Sequence, residues 1–176
     1  HIVDAVMSAL ADALPDRVPA ECGGTNSLVS FGGIHPDNGE PFASLVNEGC
    51  GWGGRPEKDG NDTLCQYVGN CACQPIEVLE TRYPIIHESF AISEGSAGAG
   101  RNRGGFGTKR QFRVECDELR VNGFIERVKV GPYGLFGGNP GGLAGLMIAR
   151  AGGIAPLIAL ATSGTDKQKT NAAGAL

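Results

Sequence analysis

Aromatic side chains are scarce in this chain: one Trp, three Tyr and seven Phe make up 6% of its 176 residues, too few to fill a core with rings alone. Long apolar runs are missing as well, and nothing approaches the length needed to cross a bilayer. No secretory signal is visible. Positive charge is not in excess: 15 Lys and Arg against 19 Asp and Glu give a net charge of −4, which speaks against a general polyanion or nucleic-acid binder. Paired C-x-x-C knuckles are absent, so the simplest zinc modules are excluded.

Glycine is what the chain has in surplus. Its 29 glycines are about twice the usual usage of roughly 7% and lack the three-residue period of collagen. A glycine-rich, aromatic-poor chain that still patterns as globular implies tight turns and close backbone contacts. The length suits about one domain with its own core. Six cysteines are present: Cys22, Cys50, Cys65, Cys71, Cys73 and Cys116. Without an export signal they read as reduced thiols of a cytoplasmic protein, packed as small buried hydrophobes. Cys71-Ala72-Cys73 has the wrong spacing for a metal knuckle and no histidine near it, so no metal is assigned to this chain. The start at His1 rather than Met leads us to expect a processed chain or part of a longer polypeptide.

The first segment, IVDAVMSALADAL, places Ile2, Val6, Ala9, Leu10, Ala13 and Leu14 on one helical face, with Asp4 and Asp12 mostly opposite. Pro15 ends it. Asn26–Phe31 and Phe42–Asn47 read as strands of a hairpin around the turn-rich GGIHPDNGEP. PIEVLETRY, from Pro75, fits a turn of helix or a strand. Pro84–Ile92 looks extended, although Glu88 spoils the alternation of Ile86, Phe90 and Ile92. Gln111–Cys116 alternates with Phe112, Val114 and Cys116 inward, and Phe124–Val130 is strand-like. PYGLFGGNPGG is a second glycine-rich loop, Leu143–Arg150 is short and apolar, and Ser163–Leu176 is small and polar. The sum is an α+β fold, β-rich, with many short strands, glycine-rich turns and one N-terminal amphipathic helix.

The stretch GSAGAGRNRGGFG, residues 95–107, concentrates glycine and arginine. Gly98, Gly100 and Gly104 give G-x-G-x-x-x-G, one residue too long for a dinucleotide turn, and RGGFG cannot start a helix. No Walker A spacing occurs anywhere. A single RGG element in an acidic chain is a poor nucleic-acid binder. Two readings remain for the loop. It is an inter-strand connection whose Arg101 and Arg103 pair with carboxylates elsewhere, or it offers backbone N–H groups and guanidiniums to an anion. Glu77, Glu80 and Arg82 lie close enough for an internal structural ion pair. His35 and His87 are titratable near neutrality and are general acid–base candidates by chemistry alone. Asp59-Gly60 is a turn.

Taken together, ALPDRVPAECGGTNSLVSFGG, GCGWGGRPEKDG, PIEVLETRYP, SAGAGRNRGGFG and PYGLFGGNPG resemble, in order, the C-terminal part of the hydantoinase B family. That family includes the B components of ATP-dependent hydantoinases, the matching half of 5-oxoprolinases, and large subunits of acetone- and acetophenone-type carboxylases. The resemblance covers residues 1–145, leaving 146–176 as a short apolar segment and polar tail. Two departures stand out: Ser96-Ala97-Gly98 replaces the usual glycine pair after the serine, and no GGGGYGDP-like ending is present. The resemblance implies part of a multi-subunit enzyme. ATP and Mg would sit on a hydantoinase A-like partner chain that phosphorylates a carbonyl or enolate oxygen. The B-type chain would host carboxylation of a ketone enolate or hydrolysis of a cyclic amide, in a hetero-oligomer without nucleic acid or membrane. A divalent metal is implied in an N-terminal part of the B-type component outside this chain, with none held by this chain alone. The resemblance assigns no catalytic residue here. Ser96, Gly98, Arg101, Arg103 and Gly104 match the loop motif and become candidates for facing the substrate or a subunit interface. A purely structural subunit is the alternative, and a free-standing binding module a third reading.

Overall fold

The computed structural model describes residues 1–147. Its contacts divide the chain into His1–Ala144 and Gly145–Leu176, and the account below concerns the first unit. Ser163–Leu176 and the last three residues of Leu143–Arg150 lie outside the described residues. The fold is α+β and β-dominated, with two helices and five short strands in two antiparallel sheets among the described residues.

Helix α1 (Ile2–Leu10) forms within the expected segment but ends at Leu10, ahead of Pro15, with residues 11–13 in a turn, and it presents the opposite face to the protein. Asp4 is 3% exposed, whereas Ile2 is 83% and Val6 51% exposed. The anchoring is polar: the Asp4 carboxylate accepts from the Cys22 N–H, and the Asp4 carbonyl accepts from the Tyr133 hydroxyl at 2.7 Å. Strands β1 (Leu28–Ile34) and β2 (Pro41–Val46) make the expected hairpin, with Val29 opposite Val46 and Ile34 opposite Pro41. Helix α2 (Ile76–Arg82) resolves the ambiguity of PIEVLETRY in favour of a helix. It ends at Tyr83, which is extended (φ −131°, ψ 145°) because Pro84 follows and bars the helical region.

Strands β3 (Ile85–Ile92) and β4 (Thr108–Val114) pair with each other. The pairing skips Glu88, with His87 opposite Phe112 and Ser89 opposite Gln111. A bulge therefore sits where the sequence alternation fails. Strand β5 (Leu119–Phe124) is the third member of the β2-β1-β5 sheet. This corrects the expectation of a strand over Phe124–Val130. Leu119 and Val121 supply the alternating face against the core, and the chain then breaks at Arg127, held at φ 58°.

Val29, Phe31 and Val46 of the three-stranded sheet meet Leu79 of α2 and Ile85 of β3 in the buried core, which Phe42, Tyr83, Phe112 and Leu119 close off. Phe31 stands edge-on to Tyr83 with ring centroids 5.7 Å apart. The cysteines need a second correction: only Cys22 is buried, while Cys71 and Cys73 are exposed. Their sulfurs engage polar partners instead, Cys71 the Asn26 amide and Cys73 the Asn47 carbonyl.

Candidate functional site

The glycine-rich loop does not stand alone. Residues 49–54, 59–64, 96–107 and 131–142 interlock backbone to backbone. The Trp52 N–H donates to the Asn61 carbonyl at 2.9 Å, and the Gly105 N–H to the Trp52 carbonyl at 2.7 Å. Gly60 donates to Arg103 and Thr63 to Phe106, both at 2.8 Å, while Cys50 and Leu64 exchange bonds across a single bridge. Such proximity requires glycine at particular points. A Cβ on Gly51 would strike the Gly105 carbonyl, and one on Gly105 would strike the Asn61 carbonyl.

Asp62 is the hub. One of its oxygens accepts from the Arg103 guanidinium at 2.9 Å and from the Phe106 N–H at 2.8 Å. The Arg103 bond, followed by the Phe106 N–H, holds its carboxyl below the usual range. Asp59 accepts from the Arg103 N–H at 2.9 Å, and the guanidinium lies over the Phe106 ring, 4.5 Å from its centroid. Asn102 donates to the Arg55 and Pro56 carbonyls. Next to this hub Thr63 is held at φ 53°, a costly conformation for a β-branched residue.

The loop candidates separate into two halves. In residues 103–108 every N–H is committed: to Asp59, Gly98, Trp52, Asp62, the Ser96 hydroxyl and Gly49 in turn. Ser96 also donates its hydroxyl to the Ser93 carbonyl at 2.7 Å, so it clamps the loop base. Gly104 bonds Gly98, whose position faces the Asn139 backbone. In residues 97–102, by contrast, no N–H finds a partner among the described residues. Ala99, Gly100 and Arg101 are exposed, and Arg101 makes no ion pair among the described residues. The anion-facing reading therefore narrows to the tip around Arg101, while Arg103 belongs to the scaffold.

The other candidates go elsewhere. Glu80 turns away from Glu77 and Arg82 and accepts the His87 N–H at 2.6 Å. No ion pair joins Glu77, Glu80 and Arg82 among the described residues. The His87 side chain is 2% exposed and lies between Glu80 and Arg110, whose Nη1 is 3.2 Å from Nε2. Burial, then the Arg110 charge, lowers its pKa. Arg110 pairs with Glu48 at 2.8 Å and covers the Phe90 ring. Glu80, His87, Arg110 and Glu48 thus form a largely buried charge chain. His35 sits at the β1–β2 turn beside Asp37.

A second polar group lies under α1. Glu21 pairs with Arg127 and accepts the Tyr133 N–H at 2.9 Å. The Tyr67 hydroxyl donates to the Ala20 carbonyl at 2.6 Å and accepts from the Gly53 N–H, which ties this region to the glycine platform. A cleft of 360 Å³ is lined by Asp4, Cys22, Gln66 and Tyr67 among others. His1, Asp4 and Glu21 each place one donor atom within 4.8 Å of the others, the one such group among the described residues. Glu21 is already engaged by Arg127 and the Tyr133 N–H, and His1 by Glu126, so a cation there would compete with protein partners at two of its three ligands and sit beside a guanidinium. The donor set does not fit a resident metal.

Asp62, Asp59, Glu48, Arg110 and Asp4 organise these clusters, and none of them stands out as a site residue in the sequence. Asp62 and Glu48 carry no local signature. Asp4 has one, a carboxylate in the first turn of a helix, but the apolar stripe of α1 points it toward solvent.

Comparison with known proteins fixes the lineage. A profile of the hydantoinase B/oxoprolinase family matches residues 1–174. The chain belongs to that family. It is 35% identical over 89% of its length to an uncharacterized protein of Methanocaldococcus jannaschii, covering 27% of that protein. It is 29% identical over 84% of its length to the B component of a putative D-/L-hydantoinase from a Pseudomonas strain, covering 24% of it. It is 31% identical over 71% of its length to the caprolactamase beta subunit of Pseudomonas jessenii, covering 22% of it. The chain thus spans about a quarter of the length of these relatives.

Proposed function

We propose that the chain is a portion of the B-type component of an ATP-dependent cyclic amidase, working in the cytoplasm as part of a hetero-oligomer with a hydantoinase A-like partner. The observation that carries this reading is the family match over nearly the whole chain. Relatives named as components of a hydantoinase and a caprolactamase favour amide hydrolysis over ketone carboxylation and support a partner chain. ATP with Mg on that partner would turn the amide oxygen into a phosphate ester, a far better leaving group than the parent oxygen.

What this chain supplies is the glycine platform and its tip. Asp62, Asp59 and Asn102 fix residues 102–106 rigidly. The tip at 97–102, with its open N–H groups and Arg101, faces the negative charge of the activated intermediate or the interface where it is delivered. Water must be metered at such a site, and a stiff backbone surface does this without long side chains.

The test begins with the native mass of the purified protein and identification of every co-migrating chain. ATP-dependent opening of hydantoin, 5-oxoproline and a lactam is then compared with ATP-dependent bicarbonate incorporation. Ring opening that needs both ATP and a partner is the expected result. Bicarbonate incorporation without ring opening would replace amidase by carboxylase. Arg101→Ala is expected to lower kcat/KM by about tenfold or more while the fold is kept. Unchanged assembly and unchanged turnover in that variant would remove the role given to the loop tip.

A further inference from the structure

We propose that Cys65 and Cys71 are a reversible dithiol–disulfide site, held ready by the side chain of Asn26. The two sulfurs lie 3.0 Å apart. Asn26 is 8% exposed, and its amide nitrogen is 3.0 Å from Cys65 Sγ and 2.8 Å from Cys71 Sγ. Its amide oxygen accepts from the Gln66 N–H at 3.2 Å, which fixes the amide plane. The Asn26 NH2 offers donors that suit a thiolate at either sulfur, while Asn26 Oδ1 and Gln66 Oε1, 3.2 and 3.0 Å from Cys65 Sγ, accept from it as a thiol, so the site accommodates both protonation states. Burial pushes the Cys65 thiol up, but hydrogen bonds from Cys71 and Asn26 outweigh it and leave the thiol below its ordinary value. Cys71 is exposed, so an oxidant can reach the pair.

The remaining thiols are placed differently. Cys73 points at the Asn47 carbonyl and Cys116 at the Glu118 carbonyl, while Cys22 and Cys50 are hydrogen-bonded to each other as a second sulfur pair, with Cys22 buried beside Asp4 and neither of the two exposed as Cys71 is. With a peroxide as oxidant, the Cys65 thiolate attacks one oxygen and becomes a sulfenic acid, and the departing hydroxide takes a proton to leave as water. The Cys71 thiol then attacks the sulfenic sulfur. The S–S bond forms, the S–O bond breaks, and the hydroxyl leaves with the Cys71 proton as a second water. Two thiols are oxidised by two electrons and one peroxide is reduced to two waters.

Closure has a structural consequence. The ring from 65 to 71 encloses Tyr67, which stands edge-on to Trp52 with centroids 5.0 Å apart, and the Cys65 carbonyl accepts the Trp52 indole N–H at 2.6 Å. Oxidation therefore fastens the segment that supports Gly53 and, through Trp52, Gly105.

The experiment treats the purified protein in its native assembly with hydrogen peroxide, blocks remaining thiols and maps the peptides. Chymotryptic cleavage after Tyr67 puts the two cysteines on separate peptides, which stay joined only through a disulfide. The expected result is a Cys65–Cys71 link, lighter than the reduced pair by two hydrogens, formed before any other and reversed by a dithiol reductant. Proteolysis within 66–70 slows in the oxidised protein. Cys71→Ser abolishes the link and Cys73→Ser leaves it intact. First oxidation at another pair, or separate alkylation of Cys65 and Cys71 with no cross-link after peroxide, overturns the proposal. Both of these readouts are made on the unmutated protein, so a variant that fails to fold does not decide the matter.

Discussion

Replacing Arg110 by methionine tests the buried charge chain behind β4. Arg110 has a side chain 4% exposed, lies 2.8 Å from a Glu48 oxygen and packs on Phe90. Methionine keeps the apolar stem over the ring but leaves Glu48 buried and unpaired. Removing one member of a buried pair costs about 3–5 kcal/mol, a fall in Tm on the order of 10 °C for a chain of this size. The pH dependence makes the prediction specific. Burial holds the Glu48 carboxyl above its ordinary value of 4.5, against the pull of Arg110 and Thr108. A raised carboxyl favours the fold only while protonated, so that contribution fades as pH climbs through the folded value. Without Arg110 the carboxyl rises further, and the loss at high pH deepens. His87 acts in the same direction. Its pKa is lowered by burial and by Arg110, so its contribution is present at high pH and is lost as pH falls through the folded value. Without Arg110 it is lowered less, and the variant suffers less on acidification. Urea unfolding of both proteins should therefore show a stability gap narrowest near about pH 5 and widest near about pH 8. Glu48→Leu in the same chain should recover most of the gap at the higher pH. A gap independent of pH, or one that widens toward acid, refutes the assignment.

Gly105→Ala places a methyl against the Asn61 carbonyl and should cost about 3 kcal/mol, read by thermal unfolding; a change below about 0.5 kcal/mol would contradict the close packing. Tyr67→Phe removes the hydroxyl that joins Ala20 to Gly53 and should cost about 1–3 kcal/mol, with faster amide exchange at Gly53 as the local signature. Asp62→Asn keeps the shape but weakens the bonds from Arg103 and Phe106. It should loosen residues 103–106 at neutral pH, seen by limited proteolysis at Arg103, and the wild-type protein should approach the same behaviour on acidification, since a depressed carboxyl loses its contribution as pH falls through the folded value.

Much of the fold was legible because hydrophobic period and turn residues were local. The β1–β2 hairpin followed from Val29 and Phe31 alternating ahead of HPDNG. The bulge at Glu88 showed as a fault in alternation. What failed was whatever depended on a distant partner. Asp4 looked like a solvent residue until Cys22 was brought to it from 18 positions away. FIERVKV alternates as well as a strand does, but Arg127 is drawn to Glu21 and the pairing falls one segment earlier. In the site, the glycine pattern correctly marked the loop. It could not separate Arg103, which is fixed by Asp62, from Arg101 at the exposed tip, because Asp62 lies 41 residues from Arg103.

The interlocked loops also set an order in time. Local pairing lets the β1–β2 hairpin form as soon as residue 46 is available. The platform cannot follow step by step, because Gly60 waits for Arg103, Ala99 for Asn139 and Ser96 for Gly142. Contacts of such long sequence separation are slow to close. During synthesis the N–H and C=O groups of 49–62 that pair with 103–108 therefore stay open to any strand that passes until that later stretch emerges. Chaperone demand for this chain should fall on that window, and a pause in translation just after residue 60 should lower the yield of folded protein more than one placed after residue 142.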